Sequence, residues 1–215
     1  MNNATAPDAL LLLTSQCPHC PAVLAALADL VKRGEIGRLE VVNIERHPET
    51  ADALAVRSVP WLRIGPFQLT GARTGAELLV WARRTETSEG MSDAFHDLLK
   101  QADLAQVLQL IAAEPVRLAA LLPIVANPEA SLNVKLGVGV VFDEYAGKPA
   151  LLALLDDIAR LMRHGDARVR ADACHLLSLT GAAAAIPLLQ AALSDENAEV
   201  SEIAADGLHT LETHS

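Results

Sequence analysis

The segment Thr14-Ser15-Gln16-Cys17-Pro18-His19-Cys20 decides how the first part of this 215-residue chain is interpreted. It follows a short apolar run, Ala9 to Thr14, that predicts a strand, and it opens a helical pattern that extends from about Pro18 to Arg33. Two cysteines three positions apart at the start of a helix bring their sulfur atoms within disulfide reach. The sequence therefore predicts a strand, a turn that holds a redox-active cysteine pair, and a helix.

The two cysteines are expected to differ in reactivity. Cys17 lies where free N–H groups and the positive end of the helix dipole favour a thiolate, so it is the expected nucleophile. Cys20, one turn into the helix, is expected to remain a thiol until it attacks the mixed disulfide. His19 can contribute a positive charge or a hydrogen bond to the Cys17 thiolate, which makes the disulfide a stronger oxidant. The alternative is that His19 is a solvated turn residue.

The chain up to about residue 85 predicts an α/β domain with the element order β-α-β-α-β-β-α. That order fits a central sheet with helices on both faces and with functional groups at the junction after the first strand. The second strand is apolar enough to be buried in a parallel pair with the first. The predicted elements after the first helix are the strand Leu39 to Ile44, a short helix from Pro48 to Leu54, the strand Val59 to Gly65, its hairpin partner Phe67 to Thr70, and a helix from Ala76 to Arg84.

The segment Thr14 to Cys20, followed about forty residues later by Val59-Pro60, resembles the thioredoxin superfamily over residues 8–85. The resemblance implies a thioredoxin-like fold in which the peptide bond before Pro60 is cis. It also implies that Pro60 faces the cysteine pair and that the backbone of Val59 offers hydrogen bonds to an extended substrate segment. The Pro-His pair between the cysteines and the valine before the proline resemble the disulfide-forming branch of this superfamily.

The resemblance also implies a substrate groove, and the sequence differs from the usual pattern of the superfamily at two positions. Trp61, beside the predicted cis proline, suits either the core or the groove. Gln16 replaces the aromatic residue that often precedes the first cysteine, and the buried acid expected on the first strand falls near apolar Leu11. Without that acid, activation of Cys20 must use water or another base. The residues predicted to contact substrate are Pro18, Val59, Pro60 and Trp61.

The second part of the chain predicts helices that repeat. Val169, Ala173 and Leu177 are matched 31 positions later by Val200, Ala204 and Leu208. Paired helices on such a period cannot each bury an apolar face alone, so they are expected to stack into a solenoid. The predicted second helices run from Leu151 to Met162 and from Ile186 to Leu193.

An aspartate near a turn, then Val-Arg, then small residues and leucines, and then a second helix led by proline resemble HEAT repeats over roughly residues 130–212. Residues 92–128 are interpreted as a degenerate or capping repeat. The predicted domains are therefore a thioredoxin-like redox domain at 1–85, a polar linker at 86–91 and an all-α HEAT-like domain at 92–215.

The net charge of −10 is concentrated in one part of the chain: residues 1–87 sum to zero, and residues 88–215 carry the whole excess of acid. An acidic surface repels phosphate backbones and anionic membranes, so neither nucleic acid nor a membrane is an expected partner. The acidity favours a basic partner protein, and the alternative is that it serves solubility alone. The start of the chain has no basic region followed by a long apolar one, which favours a cytoplasmic location. Cys174 is expected to be a buried, inert thiol.

Three functions are compatible with these patterns. The first is a thiol–disulfide oxidoreductase that acts on protein disulfides through Cys17 and Cys20, with the helical repeats recruiting the substrate. The second is an adaptor whose solenoid binds a partner and whose redox domain is a docking surface without turnover. The third is metal or cluster binding across a homodimer, because one cysteine pair supplies too few ligands for a tetrahedral site. No cofactor is predicted, and no metal in a single chain.

Overall fold

The structure is a computed structural model that describes residues 6–85 and 87–213. The chain divides into two compact units, Met1–Ala94 and Phe95–Ser215. None of the helices in the described ranges combines the length and the apolarity needed to cross a lipid bilayer.

The N-terminal unit is built on a mixed sheet whose described strands have the order β2-β1-β3-β4. Strands β1 and β2 are parallel, whereas β3 is antiparallel to both β1 and β4. The predicted order of elements and the predicted hairpin are confirmed. The strands are β1 (Asp8–Leu13), β2 (Arg38–Asn43), β3 (Trp61–Ile64) and β4 (Phe67–Thr70), and the helices are α1 (Cys20–Lys32), α2 (Pro48–Ala53) and α3 (Gly75–Arg83).

Local sequence sets the starts of these helices. Proline occupies one of the first two positions of both α1 and α2, where the missing N–H costs nothing and the fixed φ is already helical. Helix α3 begins with a capping box in which Thr74 Oγ1 accepts from the Glu77 N–H at 3.3 Å and Glu77 Oε2 accepts from the Thr74 N–H at 2.7 Å.

The sheet is covered on both faces. Leu10, Leu12 and Trp61 form a buried cluster on one face, and Leu54, just after α2, packs against it. Helices α1 and α3, which contact each other, cover the opposite face, where Leu11 is fully buried.

The prediction that the second strand is buried was wrong. Among the described strands β2 pairs only with β1, so it is an edge strand, and its side chains are exposed or half-buried. Its apolar residues indicated a strand, but strand order depends on where β3 inserts, and β3 pairs with the other side of β1.

The last four residues of the predicted linker at 86–91 are helical. Helix α4 spans Ser88–Lys100, and Thr87 Oγ1 accepts the N–H of Gly90 at 3.0 Å. A capped helix start has the same small polar residues as a linker, which explains why the sequence predicted a linker where the structure has the start of α4. The boundary between the two units falls inside α4, between Ala94 and Phe95, and Glu86 lies outside the described residues.

The described elements of the C-terminal unit are all helical. The predicted helix Leu151 to Met162 is divided into two shorter helices. The helices after α4 are α5 (Leu104–Ala113), α6 (Leu122–Val125), α7 (Leu132–Glu144), α8 (Pro149–Leu152), α9 (Leu155–Leu161), α10 (Ala167–Leu179), α11 (Ile186–Ala192) and α12 (Ala198–Thr213), with 3₁₀ helices at Pro115–Leu121 and Ala183–Ala185.

Helices α10 and α12, which carry the matched positions, contact each other. Gly207 makes this approach possible, because a Cβ at its position would lie 3.1 Å from Ser178 Cβ and 3.3 Å from Leu189 Cδ1. The nearly buried Arg170 of α10 forms a bidentate ion pair with Asp195, with both N···O distances at 2.8 Å. These contacts join the helices of the two copies, while the assignment to HEAT repeats stays a prediction.

Candidate functional site

The cysteine pair lies in the turn between β1 and α1. Cys17 and Cys20 form a disulfide with a Cα–Cα distance of 5.5 Å. Cys17 is partly exposed, whereas Cys20, the first residue of α1, is only 2% exposed. The structure therefore places the two sulfur-bearing residues in unequal environments, in the order that the sequence predicted.

The start of α1 is directed at the sulfur of Cys17. The N–H of Cys20 donates to Cys17 Sγ at 3.1 Å, and the N–H of Cys17 is itself held by the carbonyl of Thr14 at 3.3 Å. The first N–H groups of a helix have no partner within the helix and carry its positive partial charge. This arrangement favours negative charge on Cys17 Sγ once the disulfide is reduced.

His19 and Pro18 occupy the two exposed positions between the cysteines. His19 precedes the first helical residue, and its side chain makes no capping hydrogen bond. In the described parts of the chain the imidazole has no hydrogen-bond partner, so the predicted influence of His19 on Cys17 stays a prediction. Pro18 is likewise accessible, and its predicted contact with substrate remains a prediction.

The Val59–Pro60 peptide bond is cis, as the resemblance implied. Because β3 runs antiparallel to β1, with Trp61 opposite Leu12, the start of β3 and the end of β1 lie at the same end of the sheet. Pro60 therefore precedes β3 at the end of the sheet from which the cysteine turn begins. The carbonyl of Pro60 accepts from the N–H of Gly71 at 2.9 Å, which ties this position to the loop after β4.

The backbone polar groups of Val59 are unpaired in the part of the chain that the structure describes. Among residues 6–85 and 87–213, neither its N–H nor its carbonyl has a hydrogen-bond partner. The side chain is half-buried against the cluster on the α2 face of the sheet. An unpaired donor and acceptor on one residue is the arrangement that an extended peptide needs for strand-like pairing.

The structure places Trp61 in the core. It is only 4% exposed and packs with Leu10 and Leu12. Side chains alternate along a strand, and the register of β3 turns this indole towards the same face as Leu12. Of the two roles that the sequence left open for Trp61, the core is the one observed, and its predicted contact with substrate stays a prediction.

The turn before Cys17 is held by a polar network that the sequence analysis missed. Glu45 Oε2 accepts the N–H of Ser15 at 3.2 Å, Asn43 Nδ2 donates to Ser15 Oγ at 3.2 Å, and the N–H of Glu45 donates to Asn43 Oδ1 at 2.9 Å. Hydrogen bonds from the side chain and backbone of Ser15 hold the pKa of Glu45 below its usual value. A weak signal for this network was present in the sequence, since polar residues follow two strands that are predicted to be parallel and to end at one edge of the sheet.

The first strand supplies no acid beneath the cysteine pair. Leu11 is fully buried, and the acid of β1, Asp8, is exposed at the other end of the strand, where it pairs with Arg38 at 2.8 Å. Deprotonation of Cys20 therefore has no carboxylate on β1 to assist it.

The third cysteine, Cys174, belongs to α10 and is fully buried. Burial raises the pKa of its thiol to about 11, so the prediction of a buried thiol is confirmed.

In the described residues, no group of three or more His, Cys, Asp or Glu side chains is arranged to hold a metal ion. A site shared between two chains, through Cys17 and Cys20, stays a hypothesis.

The four-stranded mixed sheet, its helices and the disulfide at the start of α1 define the N-terminal unit as a redox-type thioredoxin-like domain. A family model described as a thioredoxin domain matches residues 9–82, which is about a third of the chain. No curated protein was found to match the chain.

Proposed function

We propose that this protein is a thiol–disulfide oxidoreductase that acts on protein disulfides. The observation that carries the proposal is the asymmetry of the pair: Cys17 is partly exposed and accepts the N–H of Cys20 at 3.1 Å, whereas Cys20 is buried. An exposed sulfur held at the start of a helix is a nucleophile, and a buried sulfur beside it is a resolving thiol.

In the reduced protein the Cys17 thiolate attacks one sulfur of the substrate disulfide. A bond forms between Cys17 and that sulfur, the substrate S–S bond breaks, and the second substrate sulfur leaves as a thiolate that takes a proton from water. Cys20 then loses its proton to water and attacks the sulfur of Cys17, which releases the first substrate sulfur. Two electrons have passed to the substrate, the Cys17–Cys20 disulfide has formed, and an external thiol must reduce it. The same steps in reverse oxidise a dithiol.

The backbone of Val59 supplies the docking contact. Its unpaired N–H and carbonyl, next to the cis peptide bond, are suited to pair with an extended segment on one side of the substrate disulfide. Pro18, exposed between the cysteines, would contact the same segment.

The helical unit is proposed to recruit the protein that carries the disulfide. Support comes from an exposed apolar row on α7, in which Leu132 is 70% exposed, Leu136 60% and Val140 48%. Residues four apart lie on one side of a helix, so these three form a continuous surface. The excess acid of residues 88–215 favours a client with a basic surface.

The test is catalysis and trapping with insulin as the disulfide substrate and dithiothreitol as the external thiol. We expect the wild-type protein to accelerate reduction and Cys20→Ser to accumulate an adduct through Cys17 that thiol reductants release. Cys17→Ser is the matched control, because it keeps a single thiol at the pair but removes the exposed one, and it should form no such adduct. Equal reduction rates with the wild type and with a variant that lacks both cysteines would contradict the proposal.

The absence of an acid on β1 beneath the cysteine pair supports a second candidate, a redox-tuned adaptor. Apolar Leu11 occupies the place where an acid would accept the proton of Cys20. If the helical unit alone carries the binding function, a variant with both cysteines changed to serine should retain a captured partner. Partner loss in that variant would exclude the adaptor.

A further inference from the structure

Four loops meet at the end of the sheet that carries the cysteine pair. Strands β1, β2 and β4 end there and β3 begins there, because β1, β2 and β4 all run opposite to β3. The loops comprise residues 14–19, 44–47, 54–60 and 71–74. Two hydrogen bonds already described join these loops in pairs. The N–H of Ser15 donates to Glu45, and the N–H of Gly71 donates to the carbonyl of Pro60.

Three of these loops each carry one arginine: Arg46, Arg57 and Arg73. The same four loops contain a single acidic residue, Glu45, whose carboxylate is engaged with Ser15. This composition differs from that of the whole chain, which has a net charge of −10.

The three guanidinium groups have no ion-pair partner in the described residues, although other arginines of the chain have one. Arg46 and Arg57 are exposed, and Arg73 is half-buried with an Nε atom that is fully buried and has no hydrogen-bond partner. The charge of Arg73 lowers the pKa of Glu77, but that carboxylate is bonded to Thr74. The arginines that form ion pairs are Arg33, Arg38, Arg83, Arg117, Arg160, Arg168 and Arg170.

We propose that Arg46, Arg57 and Arg73 select an acidic polypeptide segment, in which carboxylates flank the disulfide or thiol that reacts with Cys17. This inference rests on the proposed function and names the substrate class of the same site. A guanidinium group binds a carboxylate through two parallel hydrogen bonds, and three such groups lie on separate loops at the end of the sheet from which the Cys17 turn begins. Their charge also raises the rate at which an acidic segment reaches Cys17.

The experiment measures the rate at which Cys17 reacts with matched peptides. The protein is the full chain with Cys20→Ser, so that the reaction stops after one exchange. Each peptide has one cysteine activated as a 2-thiopyridyl disulfide and flanked by glutamate, glutamine or lysine. The Cys17 thiolate forms a disulfide with the peptide cysteine, thiopyridone leaves, and its absorbance reports the rate. Every rate is divided by the rate with neutral dipyridyl disulfide, so a general change in Cys17 reactivity cancels.

We expect the glutamate peptide to react about tenfold faster than the glutamine peptide at low ionic strength, and the lysine peptide to react more slowly than both. High salt should reduce the difference to about twofold, because salt screens exposed charges. Changing the three arginines together to glutamine should bring the ratio close to one. Arg63→Gln is the matched control, since Arg63 is exposed on β3 outside these loops, and it should keep the preference.

Different outcomes identify different failures. Equal rates for the glutamate and glutamine peptides, or a preference that survives the triple substitution, would overturn the acidic-segment proposal while leaving the oxidoreductase intact. A preference seen only with a small dicarboxylate disulfide would assign the arginines to a small molecule and also overturn it. Failure of every peptide and of dipyridyl disulfide to react would instead contradict the proposed function.

Discussion

The rate of alkylation of Cys17 tests whether the folded protein makes this sulfur more reactive than a free cysteine. The perturbation is Cys20→Ser, which removes the resolving thiol but keeps the backbone N–H that donates to Cys17 Sγ at 3.1 Å. The reference is a short synthetic peptide with the same sequence around Cys17 and the same substitution, because so short a peptide does not form a stable helix. Any difference between the two then comes from the folded environment.

The structure gives the magnitude of this difference. A hydrogen bond to a charged group is worth about 1.5 kcal/mol, and a helix start adds about 0.5 kcal/mol for a negative charge. Together, about 2 kcal/mol raises the ratio of thiolate to thiol roughly thirtyfold. The stabilised thiolate is a weaker nucleophile, by about fivefold. Where both thiols are mostly protonated, near about pH 5.5, folded Cys17 should therefore react about six times as fast as the peptide.

The rate of folded Cys17 relative to the peptide should change from faster to slower as the pH rises. Near about pH 10 both sulfurs are thiolates, so only the lower nucleophilicity remains and folded Cys17 should be about five times slower than the peptide. The assay is iodoacetamide labelling followed by peptide-resolved mass spectrometry, which separates Cys17 from buried Cys174. Restricted access would scale the rate equally at every pH. A rate ratio that does not change between the two pH values would refute the argument that the helix start activates Cys17.

Three further predictions concern the supports of the site and of the helices. The pKa of Glu45 is lowered from 4.5 in the folded protein, so its bond to Ser15 stabilises the turn above that pH and is lost as the pH falls through the lowered pKa; the protection of the Ser15 amide relative to its intrinsic exchange rate should fall there in the wild type and should already be low at neutral pH in Glu45→Ala. Thr74→Ala should lower the free energy of unfolding of the N-terminal unit by about 1 kcal/mol through loss of the cap, measured by urea denaturation, whereas Thr74→Ser should change it little. Gly207→Val should destabilise the helical unit by about 1–3 kcal/mol because of the contacts 3.1 and 3.3 Å from the new Cβ; exposed Ala205→Val on the same helix controls for helix propensity, and equal melting temperatures of the two variants would contradict close packing at residue 207.

The sequence predicted the local features of the N-terminal unit well. The apolar runs, the prolines at helix starts and the spacing of Cys17 and Cys20 are all encoded by neighbours along the chain, and the structure follows them. The resemblance also indicated the cis bond before Pro60 correctly, and the periodicity of Val169 and Val200 identified two helices that pack together.

Features that depend on distant residues were missed, misjudged or left open. Burial of β2 and the environment of Trp61 follow from strand order and register, which a hydrophobic pattern does not contain. The linker was misjudged because a capped helix start and a flexible connection share the same polar residues.

By itself, the sequence determined which segments are strands and helices and where the two reactive sulfurs lie, because both depend on residues within a few positions of one another. Only the tertiary structure decided which loops lie at the same end of the sheet as those sulfurs. Glu45 lies 30 residues from Ser15, and the three arginines come from separate loops, so these residues share one end of the sheet only because β1, β2 and β4 end, and β3 begins, there.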